Sequence, residues 1–220
     1  TGSIKFDKDP PQTLITESTE LRTAWGLNER PIIVAGSTRS GEEAFLLDAL
    51  KTIKKTHPAA LLIMVPRHPD RINEVEKLCA AAKFTTICRS SNIAPTDKTE
   101  VMLIDTIGEM FLFYALSDIS YVGGSLVDIG GHNMLEPASL KRPVITGPYL
   151  RNFKKISELL IQAKGQLVVH NTAELTDTLI KLLNDPSLRE RIANNAYAVF
   201  LKNKGAVQRH LNLIDSLLKH

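Results

Sequence analysis

The chain has 220 residues, of which 43% are hydrophobic, and its formal net charge is +3 at pH 7. This length and composition are enough for a full core in one large α/β domain or two small ones. The mild charge excludes the dense basic stripe of a protein that contacts many phosphates, so no nucleic acid is expected as a partner. No apolar run approaches the roughly 20 residues that span a bilayer, and no signal-peptide pattern opens the chain.

The first residue is Thr1 rather than Met, which favours a processed product or a piece of a longer protein. Cys79 lies in an apolar helical segment and Cys88 ends a strand-like run. Both are expected to be free thiols in a reducing compartment. The sequence has no Cys and His cluster with the spacing of metal ligands, and no metal or other cofactor is expected.

The predicted elements begin with a lead over residues 1–30, extended over Thr1–Gln12 and helical near Ile15–Trp25. Beyond it, apolar runs alternate with amphipathic segments, which is typical of a parallel sheet covered on both faces. The predicted strands are Pro31–Ala35, Ala60–Val65, Thr85–Cys88, Val101–Asp105, Ile119–Val122, Pro143–Thr146 and Gln166–Val169. The predicted helices are Gly41–Thr56, Arg71–Ala82, Glu109–Leu116, Met134–Leu140, Asn152–Ala163, Ala173–Leu183, Ser187–Lys202 and Ala206–Lys219. The pattern predicts an α/β fold, a doubly wound, mostly parallel, Rossmann-like domain over residues 31–220.

Ligands of such sheets bind at the carboxyl ends of the strands. After the first predicted strand, the segment Gly36–Gly41 has the glycine spacing of a phosphate loop, but Glu42 and Glu43 stand where a Walker loop has Lys and Ser or Thr. No G-x-G-x-x-G follows any strand. Two interpretations stay open: Ser37, Thr38 and Arg39 bind a carboxylate or phosphate, or the segment is a turn whose two glutamates favour the start of a helix.

Two further turns follow predicted strands. Pro66-Arg67-His68-Pro69 presents an Arg and a His on a turn stiffened by two prolines, a suitable place to bind phosphate or a base, although such a pair is often without function. At Thr106-Ile107-Gly108, a backbone amide is in a position to read a base edge. Alternatively, Thr106 caps the next helix through a capping box with Glu109.

The most informative segment runs from Gly123-Gly124 to Gly130-Gly131 and into a helix that Asn133 is expected to cap. Glycines let the main chain approach a phosphate closely, and a helix start favours negative charge, so the backbone amides here are expected to face a ligand. Glu136, one turn into the helix, is a candidate acceptor for sugar hydroxyls. The alternative is a capping arrangement between Asn133 and Glu136.

These residues resemble the bacterial 3-deoxy-D-manno-oct-2-ulosonic acid (Kdo) transferases, which place Kdo on lipid A precursors from CMP-Kdo. The resemblance covers essentially the whole chain. Its motifs, in order, are Ser37-Thr38-x-x-Gly41-Glu42-Glu43, Pro66-Arg67-His68-Pro69, Asp105-Thr106-x-Gly108-Glu109, Gly123-Gly124-Ser125-Leu126-Val127, Gly130-Gly131-His132-Asn133-x-Leu135-Glu136 and Gly147-Pro148. The resemblance implies the C-terminal, donor-binding half of a GT-B glycosyltransferase. It also implies inverting transfer without an essential metal, with the catalytic base and the lipid-facing surface on an N-terminal acceptor domain outside this sequence.

The resemblance further implies roles for individual residues. Arg67, His68 and the turn at Ile107-Gly108 are expected around cytosine, and Glu136 is expected on the ribose hydroxyls. The phosphate and the Kdo carboxylate are expected to meet Ser125, Gly131, His132 and Asn133. The full predicted donor-binding set is Ser37, Thr38, Arg39, Pro66, Arg67, His68, Thr106, Ile107, Gly108, Gly124, Ser125, Gly131, His132, Asn133 and Glu136. Arg39 departs from the family, which commonly has His at this position.

The implied partners are the CMP-Kdo donor, the N-terminal acceptor domain, a lipid A precursor and the membrane surface at the cytoplasmic face of the bacterial inner membrane. Two other functions fit the same architecture. One is a noncatalytic nucleotide-binding module, and the other is a sugar-nucleotide epimerase or hydrolase that acts without a lipid acceptor.

Overall fold

The protein is described by a computed structural model over residues 4–7, 10–11 and 13–205, together with the single residues 208, 211 and 214. The strands in this part of the chain are β1 Ile32–Thr38, β2 Leu61–Pro66, β3 Thr86–Cys88, β4 Val101–Leu103, β5 Ile119–Val122, β6 Val144–Thr146 and β7 Gln166–Val168. They form one sheet in the order β3-β4-β2-β1-β5-β6-β7, and each neighbouring pair is parallel. The predicted doubly wound α/β fold is confirmed.

The helices between the strands also match the predicted ones to within a few residues. They are α1 Leu14–Ala24, α2 Glu42–Ile53, α3 Ile72–Ala81, α4 Met110–Leu116, α5 Leu135–Ser139, α6 Lys154–Gln162, α7 Thr172–Asn184 and α8 Pro186–Asn203. Short 3-10 helices lie at Ile4–Asp7, Pro69–Arg71, Arg89–Ser91 and Arg151–Phe153. The predicted helix Ala206–Lys219 lies outside the described residues, apart from three single positions.

The predicted extended lead is wrong over Ile4–Asp7, which form a 3-10 helix. The physical reason is burial, because the Phe6 side chain is only 2% exposed and belongs to the same hydrophobic core as Leu14 and Leu27. The lead therefore packs on the sheet domain.

The core lies on the two faces of the sheet because successive side chains of a strand point to opposite faces. On β1, Ile32 and Val34 belong to one core cluster, whereas Ile33 and Ala35 belong to the other. The first cluster includes residues of α1, α4, α5, α6 and α8, and the second includes residues of α2, α3 and α7. Strands buried on both faces read as continuous apolar runs, which explains why the sequence predicted them well.

The sheet places a crevice between β1 and β5. From β1 the chain passes to β2 and on to the edge strand β3, fills the gap between them with β4, and then crosses to β5 on the other side of β1. After β1 the chain enters α2 on one face, and after β5 it reaches α5 on the other face. The two connections diverge, and ligands of doubly wound sheets bind at such a point, outside the carboxyl ends of the strands.

Candidate functional site

The structure brings the turns after β1, β2 and β4 together around one cavity of about 230 Å³. Six residues of the predicted donor-binding set line this cavity: Ser37, Pro66, Arg67, Thr106, Ile107 and Gly108. Val65, Pro69 and Met110 complete the lining. Ile107 is 88% exposed, so this turn presents its apolar side chain and backbone openly at the rim. The cavity is lined by apolar residues such as Val65, Ile107 and Met110 together with a few polar ones, which suits a flat heterocyclic base.

The strand that leads into the cavity ends in an unusual backbone conformation. Ser37 has a φ of 56°, the left-handed region, and the β1–β2 register shifts between Gly36 and Thr38. A residue other than glycine in this conformation costs about 1 kcal/mol or more. Thr38 next to it is fully buried, and among the described residues its Oγ1 has no hydrogen-bond partner. Its carbonyl oxygen accepts a hydrogen bond from the Arg67 amide at 3.0 Å, which joins the turns after β1 and β2.

Basic side chains from three turns meet beside the cavity, and we call Arg39, Arg67, His68 and His132 the cationic cluster. The guanidinium of Arg39 contacts both histidines, with Nε donating to Nε2 of His132 at 3.3 Å and Nη1 in hydrogen-bond contact with Nε2 of His68. Since Nε2 of His132 accepts, its proton is assigned to Nδ1. The cluster gathers positive charge in one place, which is an arrangement that favours an anion.

The charges of the cluster also set the protonation of His132. Burial, followed by the positive charges of Arg39, Arg67 and His68, lowers the pKa of His132 to about 4. The ring is therefore neutral at pH 7, and a bound anion would raise its pKa again by supplying the missing opposite charge.

The segment Gly123-Gly124 corrects one expectation, because its amides do not face a ligand. They surround Glu42, whose carboxylate accepts hydrogen bonds from the amides of Gly124 at 2.7 Å, Ser125 at 3.0 Å and Leu126 at 2.9 Å. The hydroxyl of Tyr121 donates to the same carboxylate at 2.6 Å, and the Glu42 side chain is fully buried. The amides of Gly124 and Ser125 belong to the segment that was expected to face a ligand, and they are already occupied by Glu42.

The hydroxyl of Ser125 likewise makes its hydrogen bonds within the protein. Ser125 is fully buried, its hydroxyl donates to the Val122 carbonyl at 2.6 Å, and it accepts from the Gly147 amide at 2.8 Å. Its hydroxyl is therefore engaged within the protein, and its contact with the donor stays a prediction. Ser125 connects the ends of β5 and β6.

The second glycine pair turns the chain toward the cluster. Gly130 and Gly131 have φ values of 102° and 78°, which side chains rarely adopt. The Gly131 amide donates to the Gly124 carbonyl at 2.7 Å, and the Asn152 amide donates to the Gly130 carbonyl at 2.9 Å. This closed loop places His132 in the cluster.

The helix after the loop starts one residue later than predicted. α5 begins at Leu135, and Asn133 Oδ1 accepts from the Leu135 amide at 3.2 Å. Asn133 Nδ2 donates to Glu136 Oε1 at 3.3 Å, so the capping arrangement between these two residues is present. Glu136 is nevertheless half-buried rather than buried. Burial, and then the negative charge of Glu136, raise the pKa of Tyr114, whose hydroxyl lies against Gly36 and next to Met110 of the cavity wall.

The capping box expected between Thr106 and Glu109 is absent, because α4 begins at Met110 and its N-cap residue, Glu109, makes no side-chain cap hydrogen bond. The Thr106 hydroxyl donates to the Glu109 carboxylate, which forms an ion pair with Arg89 at 3.0 Å. The Thr106 side chain is thus engaged inside the turn, and the exposed residues Ile107 and Gly108 form the outer part of the rim.

Sequence reasoning missed the roles of both glutamates after Gly41. Glu42 holds the glycine loop, and Glu43, also fully buried, forms a two-point ion pair with Arg71 at 2.8 and 3.3 Å. The available signal was two consecutive acids at the start of a helix, on the same face as the apolar positions Leu46, Leu47 and Leu50. The partners themselves lie far away in the sequence, so the pattern does not name them.

The described residues contain no group of three or more His, Cys, Asp and Glu side chains placed to hold a metal ion. In the same part of the chain, both cysteines are free, with Cys79 buried and Cys88 half-buried. None of the described helices combines the length and the apolarity of a membrane-spanning segment.

Comparisons with known proteins identify the family. No family model matches the chain. The solved C-terminal CMP-Kdo binding domain of WaaA from Acinetobacter baumannii is 33% identical, has a TM-score of 0.82, and is matched over 98% of its length and 86% of this chain. The chain belongs to the Kdo transferase family.

Curated Kdo transferases match the chain along its whole length. The enzyme of Haemophilus influenzae is 43% identical over 220 residues, and that of Bordetella pertussis is 33% identical over 223 residues. In both cases the chain spans about half of the relative, 51% of its length. The Anabaena protein HepE, solved with UDP-glucose, is 16% identical with a TM-score of 0.68 over 98% of this chain and 55% of its own, which shows the shared fold alone. The fold is that of the C-terminal half of a GT-B glycosyltransferase.

Proposed function

We propose that this chain binds CMP-Kdo as the donor half of a transferase that adds Kdo to a lipid A precursor in lipopolysaccharide synthesis. The observation that carries the proposal is the placement of a base-sized cavity directly beside the cationic cluster. CMP-Kdo has a base to fill such a cavity and two negative groups, a phosphodiester and a carboxylate, to meet the cluster. The sequence match to the CMP-Kdo binding domain of WaaA supports the same donor.

In this proposal cytosine enters the cavity between the turns at Arg67 and at Ile107-Gly108. Glu136, whose negative charge acts on Tyr114, accepts hydrogen bonds from the ribose hydroxyls. The phosphate and the Kdo carboxylate meet Arg39 and His132. The Nδ1–H of a neutral His132 serves as a donor that costs no desolvation of a charge in the free protein.

The chemistry assigned to this half is stabilisation of the leaving group. A hydroxyl of the acceptor attacks the anomeric carbon of Kdo while the bond from that carbon to the phosphate oxygen of CMP breaks. The electron pair of the broken bond stays on the phosphate, and the hydroxyl proton goes to a base on the N-terminal half. In this proposal Arg39, which contacts both histidines of the cluster, stabilises the charge that develops on the phosphate and so lowers the barrier.

The remaining assignments concern the whole protein. Residues 1–30 join the acceptor domain to the donor domain of residues 31–220, and the burial of Phe6 and Leu14 supports a lead that is fixed to the donor side. The full-length transferase works at the cytoplasmic face of the bacterial inner membrane, where its lipid A precursor lies. Fusing this chain to the N-terminal half of the Haemophilus influenzae relative and assaying Kdo transfer tests the activity.

The direct test of donor binding is calorimetry of this chain with CMP, UMP and cytidine. We expect CMP to bind, UMP to bind more weakly because the cavity reads the base edge, and cytidine to bind more weakly because it lacks the phosphate. A folded chain that shows no heat with CMP at millimolar concentration contradicts the proposal. Equal affinity for UMP and CMP argues for a different sugar nucleotide.

A substitution tests the ribose contact. Glu136→Ala should weaken CMP binding by about 1.5–3 kcal/mol, the range for hydrogen bonds to a charged group. Glu158→Ala, which removes an exposed carboxylate on α6, serves as the matched control and should leave CMP affinity unchanged. If Glu136→Ala lowers the melting temperature but not the affinity, the carboxylate only caps the helix through Asn133.

A further inference from the structure

The buried carboxylate of Glu42 joins the two loops that hold the cationic cluster. Its Oε2 accepts hydrogen bonds from the amide of Arg39 at 3.0 Å and from that of Gly124 at 2.7 Å. Its Oε1 accepts from Tyr121, Ser125 and Leu126. One side chain thus fixes the main chain after β1 to the main chain after β5, across the crevice at the centre of the sheet.

Both loops position a member of the cluster. The Arg39 amide held by Glu42 belongs to the residue whose guanidinium contacts both histidines. On the other side, the His132 ring lies so close to Gly124 that a Cβ at this glycine would be 2.7 Å from Cδ2 of the ring. The carbonyl of Gly124 also accepts from the amide of Gly131, the residue before His132. The positions of Arg39 and His132 therefore depend on the same carboxylate.

This arrangement needs an ionised carboxylate. Four backbone amides and one hydroxyl point at Glu42, and an ionised carboxylate is an acceptor at all of its lone pairs. A glutamine has one accepting oxygen, and its NH₂ group would face amides that also donate. Buried donors without an acceptor are unfavourable, so the two loops would have to separate.

We propose that Glu42 is a positioning residue for the anionic part of the donor, because it fixes Arg39 and His132 in the arrangement that receives negative charge. Glu42 does not touch the ligand in this account. It acts through main-chain amides, in contrast to Arg39 and His132, which contact the anion. The inference rests on the proposed binding of CMP-Kdo, and it predicts that loss of Glu42 harms recognition of the phosphate more than recognition of the nucleoside.

The experiment compares CMP with cytidine by calorimetry for wild type, Glu42→Gln and Asp118→Asn. Asp118 is the matched control, since its Oδ2 accepts from the Ile32 amide at 2.8 Å and from Arg22 at 3.0 Å at the opposite end of the same strands. Glu42→Gln should weaken CMP binding about tenfold or more, with cytidine changed less than about threefold, because charged hydrogen bonds to the phosphate are lost. Asp118→Asn should lower the melting temperature and leave both affinities unchanged.

A second readout needs no ligand. The pKa of His132, measured by NMR from its ring protons, should rise from about 4 toward the ordinary value in Glu42→Gln as the ring becomes hydrated. Loss of the negative charge of Glu42 alone would lower the pKa of His132 further. A rise in this pKa therefore indicates that the ring has moved, and a fall indicates only the loss of charge. Asp118→Asn should leave the pKa of His132 unchanged.

The outcomes are separable. The inference is overturned if folded Glu42→Gln binds CMP as wild type does, if the control weakens CMP equally, or if the pKa of His132 stays near 4. If wild type binds no CMP, the proposed function fails, and the pKa of His132 still decides the inference. Should Glu42→Gln not fold, Tyr121→Phe removes one donor to the same carboxylate and should weaken CMP by about threefold without affecting cytidine.

Discussion

The close approach of β5 to β1 at Gly123 makes a sharp prediction for Gly123→Ala. A Cβ at this position would lie 2.5 Å from the Ser37 carbonyl oxygen and 2.8 Å from the Thr38 Cα. Carbon contacts are favourable at about 3.5–4.0 Å, so the two strand ends would have to separate by roughly 1 Å. This movement lengthens the hydrogen bond from the Gly123 amide to the Gly36 carbonyl, now 2.8 Å. Both contacts are to backbone, which has no rotamer to change.

The magnitude follows from these two losses. Overpacking costs about 1–3 kcal/mol and a lost buried hydrogen bond about 1 kcal/mol, so Gly123→Ala should destabilise the chain by about 3 kcal/mol. For a chain of this size, about 3 kcal/mol corresponds to a fall in melting temperature of about 6–12 °C. Because Ser37 and the loop that carries Arg39 move with the strand end, CMP binding should weaken as well.

The assay is urea unfolding followed by circular dichroism, with Gly26→Ala as the control. Gly26 has a φ of 66° and nothing within 4 Å of a Cβ, so alanine there meets only backbone strain of about 1 kcal/mol. If Gly123→Ala loses less stability than Gly26→Ala, the close approach of the two strand ends is refuted.

Two further predictions concern charge. The pKa of His132 is lowered to about 4 in the folded chain. Between about pH 4 and 6.5 the unfolded chain therefore binds more protons at this residue than the folded chain does. His132 should for this reason reduce the stability of the chain as the pH falls through that window. The effect should be only about 1 kcal/mol because the ring is partly exposed, and urea unfolding at several pH values should show a weaker pH dependence in His132→Gln. Arg71→Met should destabilise by about 3 kcal/mol because it leaves the buried Glu43 carboxylate without its partner. Glu74→Gln, which removes the exposed partner of Arg71, should have a much smaller effect in the same assay; equal effects would contradict the account of Glu43.

The sequence predicted the sheet well for a physical reason. Central strands such as β1 and β2 are buried on both faces, so their apolar runs are continuous; β2 ends at Pro66, whereas β1 continues past Gly36 to Thr38. The edge of the sheet that carries the site follows from the parallel topology, because all carboxyl ends lie together. The cavity therefore contains residues from turns that the sequence had already selected.

The internal contacts of the site could not be predicted from the sequence. Glu42 is 82 positions from Gly124 in the sequence, and no local pattern predicts that its carboxylate accepts a hydrogen bond from the Gly124 amide. The glycines of the loop were interpreted as a place for a ligand, whereas they make room for a carboxylate of the protein itself. Asn133 and Thr106 are two smaller examples. Both side chains were expected near a ligand, and both hydrogen-bond to neighbouring residues of the protein.

The occupied amides limit which groups of this domain are left to bind negative charge. In a Walker loop, backbone amides and one lysine hold the phosphate. Here the glycine spacing after β1 is similar, but the acid that follows Gly41 neutralises the amides of the neighbouring loop from inside. The positive charge at this edge of the sheet therefore comes from side chains, and the cationic cluster supplies it from three separate turns. Cations on separate turns suit two negative groups at different positions better than a single phosphate loop does, and the proposed donor, a sugar nucleotide with its own carboxylate, has two such groups.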